Sequence, residues 1–312
     1  MVLTEEKFKK IEKALDELVE SSDGRKEISM AMILKRSRIK IGERTVFDKF
    51  HEKGIYFHKL FGKLDLSATD KEARAVWCHS KLSRSKLQWR TMPHAIIDNK
   101  TFQIYTTDKG RAYAARRCVR GVYRRRGDMP KNGTVKSKNE LKFPAPSVQV
   151  TAAVIKGRIR MLDYIDGAWT GQEAAKMYEG PLAKALRAAF PEVMRAPWKK
   201  FNVIEDNDPT GYKSRKGEAA KRAAKIITDD LPKRSPDLNV LDYRLWSEIN
   251  RRMRRQETSF SRSRRETKEQ YLLRLRNTAM ALPRTYVTKA VEEMHRRVRD
   301  IKGSEGGYIK ND

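Results

Sequence analysis

The sequence predicts a small all-α domain at the N-terminus followed by a larger α/β core, a mixed sheet flanked by helices. Three observations predict it. Apolar residues recur at helical spacing up to Gly54, and from about residue 90 to 255 short β-branched and aromatic runs are followed by helical ones. The chain's 312 residues are also enough for more than one hydrophobic core.

The elements follow in order. Phe8, Ile11, Leu15, Leu18 and Val19 share one helical face, and SSDG supplies a stop. EISMAMILKRS is a second helix. After the connector RIKIG comes a third, ERTVFDKFHEKG, which packs Val46, Phe47 and Phe50 and ends at Gly54. This outline fits a helix-turn-helix, whose last helix would present Arg44, Thr45, Asp48, Lys49 and Lys53 to DNA, although any small three-helix bundle shares it. Residues 61–90 read as a linker and a helix capped at Thr69, with Ala73, Val76 and Trp77 on its apolar side. PHAIIDNKTFQIYTT reads as strand, bend and strand, a hairpin, and PSVQVTAAVIKGRIRMLDYI as two more strands about Lys156 and Gly157. GQEAAKMYEGPLAKALRAAF is helical with a break near Gly180 and Pro181. Phe201 to Ile204 form a buried strand running into acidic turn residues, EAAKRAAKIIT is helical, and SPDLNVLDYRLW is a turn entering a helix. The expected domains are therefore 1–60, a linker and helix at 61–90, and 91–312 with a basic insertion at 111–145.

Lys and Arg number 69 against 40 Asp and Glu, a net charge of +29. That excess exceeds what solubility needs and implies a polyanionic partner, of which nucleic acid is the commonest. Eleven of the cations fall between Arg111 and Lys142, among them Arg116, Arg117, Arg120, Arg124, Arg125 and Arg126, interleaved with Tyr113 and Tyr123. This run reads either as a solvated loop or as an arm gripping a phosphate backbone, and it fits a nuclear localisation signal, which in a eukaryote would place the chain in the nucleus. No apolar run reaches the length of a membrane span, no basic amphipathic helix with an aromatic face stands out, and the start lacks a secretory core. A soluble intracellular chain without a membrane partner is expected. Cys78 and Cys118 alone cannot build a disulfide framework or a four-cysteine zinc site, and the five histidines lack HxxxH spacing.

Three carboxylates end strands or begin helices in the α/β core: Asp98 after Ala95-Ile96-Ile97, Asp206 after Val203-Ile204-Glu205, and Asp242. At one rim of a sheet, three carboxylates could hold two Mg²⁺ ions and support phosphodiester chemistry. Each also has a plainer reading: Asp98 as a hairpin turn residue, Asp206 in an Asx turn, Asp242 as a helix cap. Asp242 is conspicuous because it shares a helical face with Trp246, Ile249 and Met253, where an unpaired carboxylate is costly.

DNDP at 206–209, then thirty-five residues between Asp206 and Asp242, with SPDLNVLD ending at Asp242 and Leu245-Trp246 beyond, resembles the mariner-type DDE/DDD transposases. IIDNKTF is similar to that family's first acidic strand, KEARAVWCHSKLSRSKLQW to its Arg-containing helix and Trp, PSVQVTAAVIKGRIRML to its strand pair with a central Gly, and LPRTYVTKAVEEMHRRVRDIKGSEGGYI to its closing helix with Gly-Gly. The chain departs from the pattern at Tyr212, where the family carries a His, at Val240-Leu241 for Pro-Ile, and at Asn99 for Glu. It also leaves room for only about one helix-turn-helix. The resemblance implies an RNase H-like core, Asp98, Asp206 and Asp242 as catalytic metal ligands, Mg²⁺ with Mn²⁺ as substitute, double-stranded DNA as partner and substrate, and a homodimer. The implied activity is cut-and-paste transposition by a Mg²⁺-dependent endonuclease and polynucleotidyl transferase. A domesticated relic that binds DNA without catalysis is the alternative. A basic RNA-binding or chromosomal protein is a further reading, but it lacks an RNP-like aromatic motif and leaves SPDLN unexplained.

Overall fold

The computed structural model describes residues 3–21, 28–59, 66–107, 121–125, 146–196, 198–261 and 264–309. The chain divides into two compact units, Met1–Asp65 with Arg116–Lys142, and Leu66–Ala115 with Phe143–Asp312.

In the first unit, helices α1 (Glu5–Ser21), α2 (Met30–Ser37) and α3 (Glu43–Glu52) bury Phe8, Ile11, Leu15, Ile33, Val46 and Phe50 together. The Ser29 side chain caps α2 by accepting from the Met32 amide, and Gly54, at φ 71°, takes the left-handed turn that follows α3. Strand β1 (Ile55–Lys59) pairs antiparallel with β3 (Gly121–Arg125), while β2 (Ala95–Gln103) belongs to the second unit. Residues 121–125, within the basic insertion expected at 111–145, thus pair with the first unit. Apolar burial is the reason, because Val122 and Tyr123 complete the helical core, the Tyr123 ring lying 5.3 Å from Phe50 and 5.2 Å from Phe57, edge to face.

The second unit is a five-stranded sheet in the order β5-β4-β2-β6-β7, formed with β4 (Ser147–Ile155), β5 (Arg158–Ile165), β6 (Phe201–Glu205) and β7 (Ile226–Asp230). The β2, β4 and β5 pairings are antiparallel, whereas β6 and β7 run parallel to β2. The mixed sheet carries helices on both faces, as expected of an RNase H-like core. One face is covered by α6 (Gly171–Met177), α7 (Ala183–Ala189), α8 (Pro191–Met194) and α9 (Arg215–Ala223), and the other by α10 (Trp246–Thr258), α11 (Lys268–Met280), α12 (Arg284–Glu292) and α13 (Met294–Gly303).

Four expectations change. The hairpin expected around Asp98 is one continuous nine-residue strand, because Asn99 and Lys100 pair with Thr151 and Val150 and the Thr151 hydroxyl donates to Asn99 Oδ1 at 2.5 Å. Ile226-Ile227-Thr228 leave the expected helix to form β7 after Lys225, at φ 58°, turns the chain. The break at Gly180-Pro181 is a π turn, Tyr178–Leu182, which lets helix continue past the proline. The helix α4 (Ala68–His79) is capped by Ser67, not Thr69, in a capping box with Asp70. It buries Arg74 and Cys78 while Val76 is 64% exposed, and with α5 (Lys86–Thr91) and its buried Trp89 it belongs to the second unit.

Candidate active site

Strand register brings the first two carboxylates together. On the parallel strands β2 and β6, Ala95 lies opposite Val203 and Ile96 opposite Ile204. Two residues further along come Asp98, within β2, and Asp206, the first residue past the end of β6, on strands that run about 4.8 Å apart. Both share the parity of Ile96 and Ile204, the face packed against the α10–α13 layer. Glu205 has the opposite parity, and Tyr178 and Lys221 bond its carboxylate beneath the other face.

The segment between β7 and α10 delivers the third carboxylate. Asp237, in a 3-10 turn at Pro236–Leu238, receives both terminal nitrogens of Arg74 at 2.7 Å, and neither side chain reaches solvent. Arg74 also donates to Ser235 Oγ at 3.0 Å and to the carbonyls of Gly306 and Gly307 at 2.7 and 3.1 Å. Gly306 sits at φ 82°, and a Cβ there would lie 1.9 Å from the Lys71 carbonyl oxygen, so only glycine fits. Asn239 then donates to the Ile97 carbonyl at 3.1 Å, and its Oδ1 accepts from the Leu241 amide at 3.1 Å. Ser, Asp and Asn of SPDLN thus clamp this segment to β2 and to the chain's end. Asp242 follows in a π turn, Leu241–Leu245, that caps with no side chain of its own, so Asp242 is not the helix cap.

The three carboxylates perturb one another. Asp98 is 6% exposed, and its Oδ2 accepts from the Trp246 indole at 2.6 Å. Burial, then the charges of Asp242 and Asp206, push its carboxyl well above the usual range against the help of Trp246 and Lys100. Asp206 reaches solvent at the rim, where it accepts from the Asn207 amide at 2.8 Å. Its carboxyl is still raised, by desolvation and by Asp242 and Asp208. Asp242 is raised by burial, which Lys100 Nζ, 3.4 Å away, only offsets. The oxygen-only donor set suits a hard divalent cation. Among the described residues, however, no group of three His, Cys, Asp or Glu side chains stands close enough to hold a metal ion. Each aspartate is instead engaged by Trp246, Asn207 or Lys100.

Two other acids near Asp206 and Asp242 in the sequence, Asp208 and Glu248, have partners of their own. Asp208 accepts from the Trp169 indole at 2.9 Å and from the Gly211 amide at 2.8 Å, and Glu248 is paired with Arg251 and Arg252, which hold its carboxyl down to about 2. Tyr212, at the position of the family's His, is buried, and its hydroxyl has no partner among the described residues. Burial first, then Asp98, Glu205, Asp206 and Asp208, oppose its ionisation. Sequence reasoning missed Lys100, Trp246 and Asn239 as parts of the site. Two were within reach, since Lys100 shares Asp98's strand face and Trp246 lies one helical turn past Asp242.

In the first unit, Arg44, Thr45 and Lys53 are exposed and Lys49 is half-buried. Ion pairs link Arg44 to Asp48, Lys49 to Glu52 and Lys53 to Glu5. Arg124 is buried, correcting its assignment to a solvent-reaching arm, because it sits within strand β3, paired with β1, and not in a loop. Arg125 pairs with Asp16 at 2.9 Å and Glu12 at 3.6 Å. Arg116, Arg117, Arg120 and Arg126 lie outside the described residues.

No protein-family model matches the chain, and no curated protein matches it in sequence. Solved structures do. A pre-cleavage Mos1 transpososome superposes with a TM-score of 0.57 at 14% identity, covering 95% of this chain and 79% of that one. The Mos1 transposase paired-end complex with the left transposon end gives 0.57 at 15%, covering 99% and 82%. The catalytic domain of Mos1 mariner transposase gives 0.55 at 15%, covering 80% and 99%. The chain therefore shares the fold of mariner transposase structures, with an RNase H-like core.

Proposed function

We propose that this chain is a metal-dependent DNA transposase that cuts phosphodiester bonds at transposon ends and joins the freed 3′-hydroxyl to target DNA. What supports this reading is that strand β2, the end of β6 and the turn before α10 carry Asp98, Asp206 and Asp242, and that the charge of Asp242 raises the carboxyls of the other two. The similar structures include Mos1 paired-end complexes with Mn and with Mg and a Mos1 strand transfer complex, which supports divalent metals and DNA as partners. Asp98, Asp206 and Asp242 would hold Mg²⁺, or Mn²⁺ in its place. Such ions lower the pKa of an attacking water or hydroxyl and stabilise the leaving oxygen. The chain's own residues do the rest. Trp246 fixes the orientation of Asp98, Asn239 and the Arg74 clamp fix the Asp242 backbone, and Lys100 supplies a cation that can turn from Asp242 to a phosphate oxygen. Helix α3 and the basic run 111–145 bind DNA, the chain acts as a homodimer because two ends must be joined, and in a eukaryote it works in the nucleus.

The Lys100–Asp242 ion pair favours one second reading, a transposase-derived DNA-binding protein in which lysine has taken the cation's role and catalysis is lost. Mg²⁺- or Mn²⁺-dependent nicking of DNA carrying the element's ends, wild type against Asp242→Ala, separates the two. Cutting by wild type alone, with DNA binding kept in both, is the expected result. Binding by both without cutting under either metal would favour the second reading.

A further inference from the structure

At the opposite end of the sheet from the carboxylates, where the parallel strands β2, β6 and β7 begin and the β4–β5 turn lies, the surface is basic and carries an exposed tryptophan. Trp198 is 78% exposed in the loop before β6, the most exposed large apolar side chain among the described residues. Arg195, Lys199 and Lys200 flank it, all exposed. An aromatic series ties this loop to the neighbouring elements: the Phe201 ring lies 5.8 Å from His94, His94 lies 4.6 Å from Phe190, and Lys156 Nζ lies 4.4 Å over Phe190. Beside Phe190 a cleft of about 270 Å³ is bordered by Arg90, Lys156 and Arg284. Several cations elsewhere on this unit are matched, among them Arg251 and Arg252 by Glu248, Arg274 by Glu257 and Glu266, and Lys81 and Arg84 by Asp229. Here Arg195, Lys199, Lys200 and Arg284 have no carboxylate within ion-pair distance among the described residues, and only Arg90 is paired, with Glu292 at 3.3 Å.

We infer that this end of the core is a second DNA-binding surface, on which unmatched cations track the phosphate backbone and Trp198 packs against sugar or base. Charge complementarity selects the partner. Like charges left unneutralised on one face repel each other, and a polyanion relieves them, whereas an apolar protein partner would bury four unpaired cations. An exposed indole among cations also has the composition of a nucleic-acid stacking platform. The surface lies at the far end of the strands from Asp98 and Asp206, so DNA held there is a different segment from DNA cut at the carboxylates. That assignment of segments rests on the transposase reading; the binding surface itself does not.

The test uses the full-length chain with a photo-crosslinking phenylalanine in place of Trp198 and, as a control, in place of the exposed Val76. A mixed-sequence duplex should be labelled from position 198 and not from 76. Lys199→Ala with Lys200→Ala should lower the slope of log affinity against log salt by about two and weaken binding at least tenfold, while metal-dependent nicking of a short end-bearing duplex stays unchanged. Absence of labelling from 198, or an unchanged salt slope, overturns the inference even if nicking succeeds. Labelling with the lowered slope but no nicking sustains the surface and sinks the catalytic reading instead.

Discussion

Asp237 and Asp242 stand five residues apart in one segment, and the protein treats them in opposite ways. Asp237 is buried against a single guanidinium that meets both its oxygens, and its charge is neutralised where it sits. Asp242 is less buried, yet its nearest cation is one lysine at 3.4 Å, and its charge raises the carboxyls of Asp98 and Asp206. The same contrast repeats on β6, where Glu205 is held by Lys221 and Tyr178 while its neighbour Asp206 keeps only an amide and two like charges. Neutralisation by the protein marks an acid that holds the fold, and its absence marks an acid reserved for something else.

The largest effect should come from breaking the neutralised pair. Asp237→Ala leaves the Arg74 guanidinium buried without its counter-charge, and urea or guanidinium denaturation should show a loss of about 3–5 kcal/mol. A loss below about 1 kcal/mol would mean that the clamp does not organise the segment. Asp242→Asn should do the reverse, removing metal-dependent nicking by about a thousandfold or more, some 4 kcal/mol of barrier, while leaving the midpoint of unfolding unchanged or higher.

The pH dependence sharpens the comparison further. Asp98's carboxyl is raised by folding, so between the ordinary carboxylate range and its folded value the native state holds the proton more tightly than the unfolded chain does. Stability should therefore fall as pH rises through that window and be unaffected below it. In Asp98→Asn this part of the slope should vanish, and thermal melts across pH would expose a wrong sign directly. Glu205, pushed up to about 7 by burial, should add a decline of the same sign that persists in Asp98→Asn. The smallest effect belongs to Glu248, whose carboxyl is lowered by arginines at the surface. Glu248→Gln should cost no more than about 1 kcal/mol, and should leave nicking intact. A nicking defect as deep as that of Asp242→Asn would make Glu248 the third acid after all.

Much of this was legible in the sequence. The helical periods of the first unit and the strands about Lys156-Gly157 and at Phe201 stood where a local pattern placed them. What escaped depended on partners far along the chain. Asn99-Lys100 has turn composition, yet pairing with β4 keeps it in a strand. Arg74 looks like a solvated helix residue until Asp237 and the Gly306 and Gly307 carbonyls close around it. Arg124 reads as part of a basic run, yet it lies buried in a strand that pairs with β1. Local composition does not contain these long-range pairings.

The clamp on Arg74 also gives the molecule an order of completion. Its acceptors come from two places, Asp237 in the middle of the chain and the Gly306 and Gly307 carbonyls close to the last described residues. A ribosome that has released only the first 300 residues has made all three aspartates but not the carbonyls that finish fixing Arg74 against Asp237. A chain cut short before Gly306 would thus possess Asp98, Asp206 and Asp242 without the carbonyls that help hold the segment carrying Asp242.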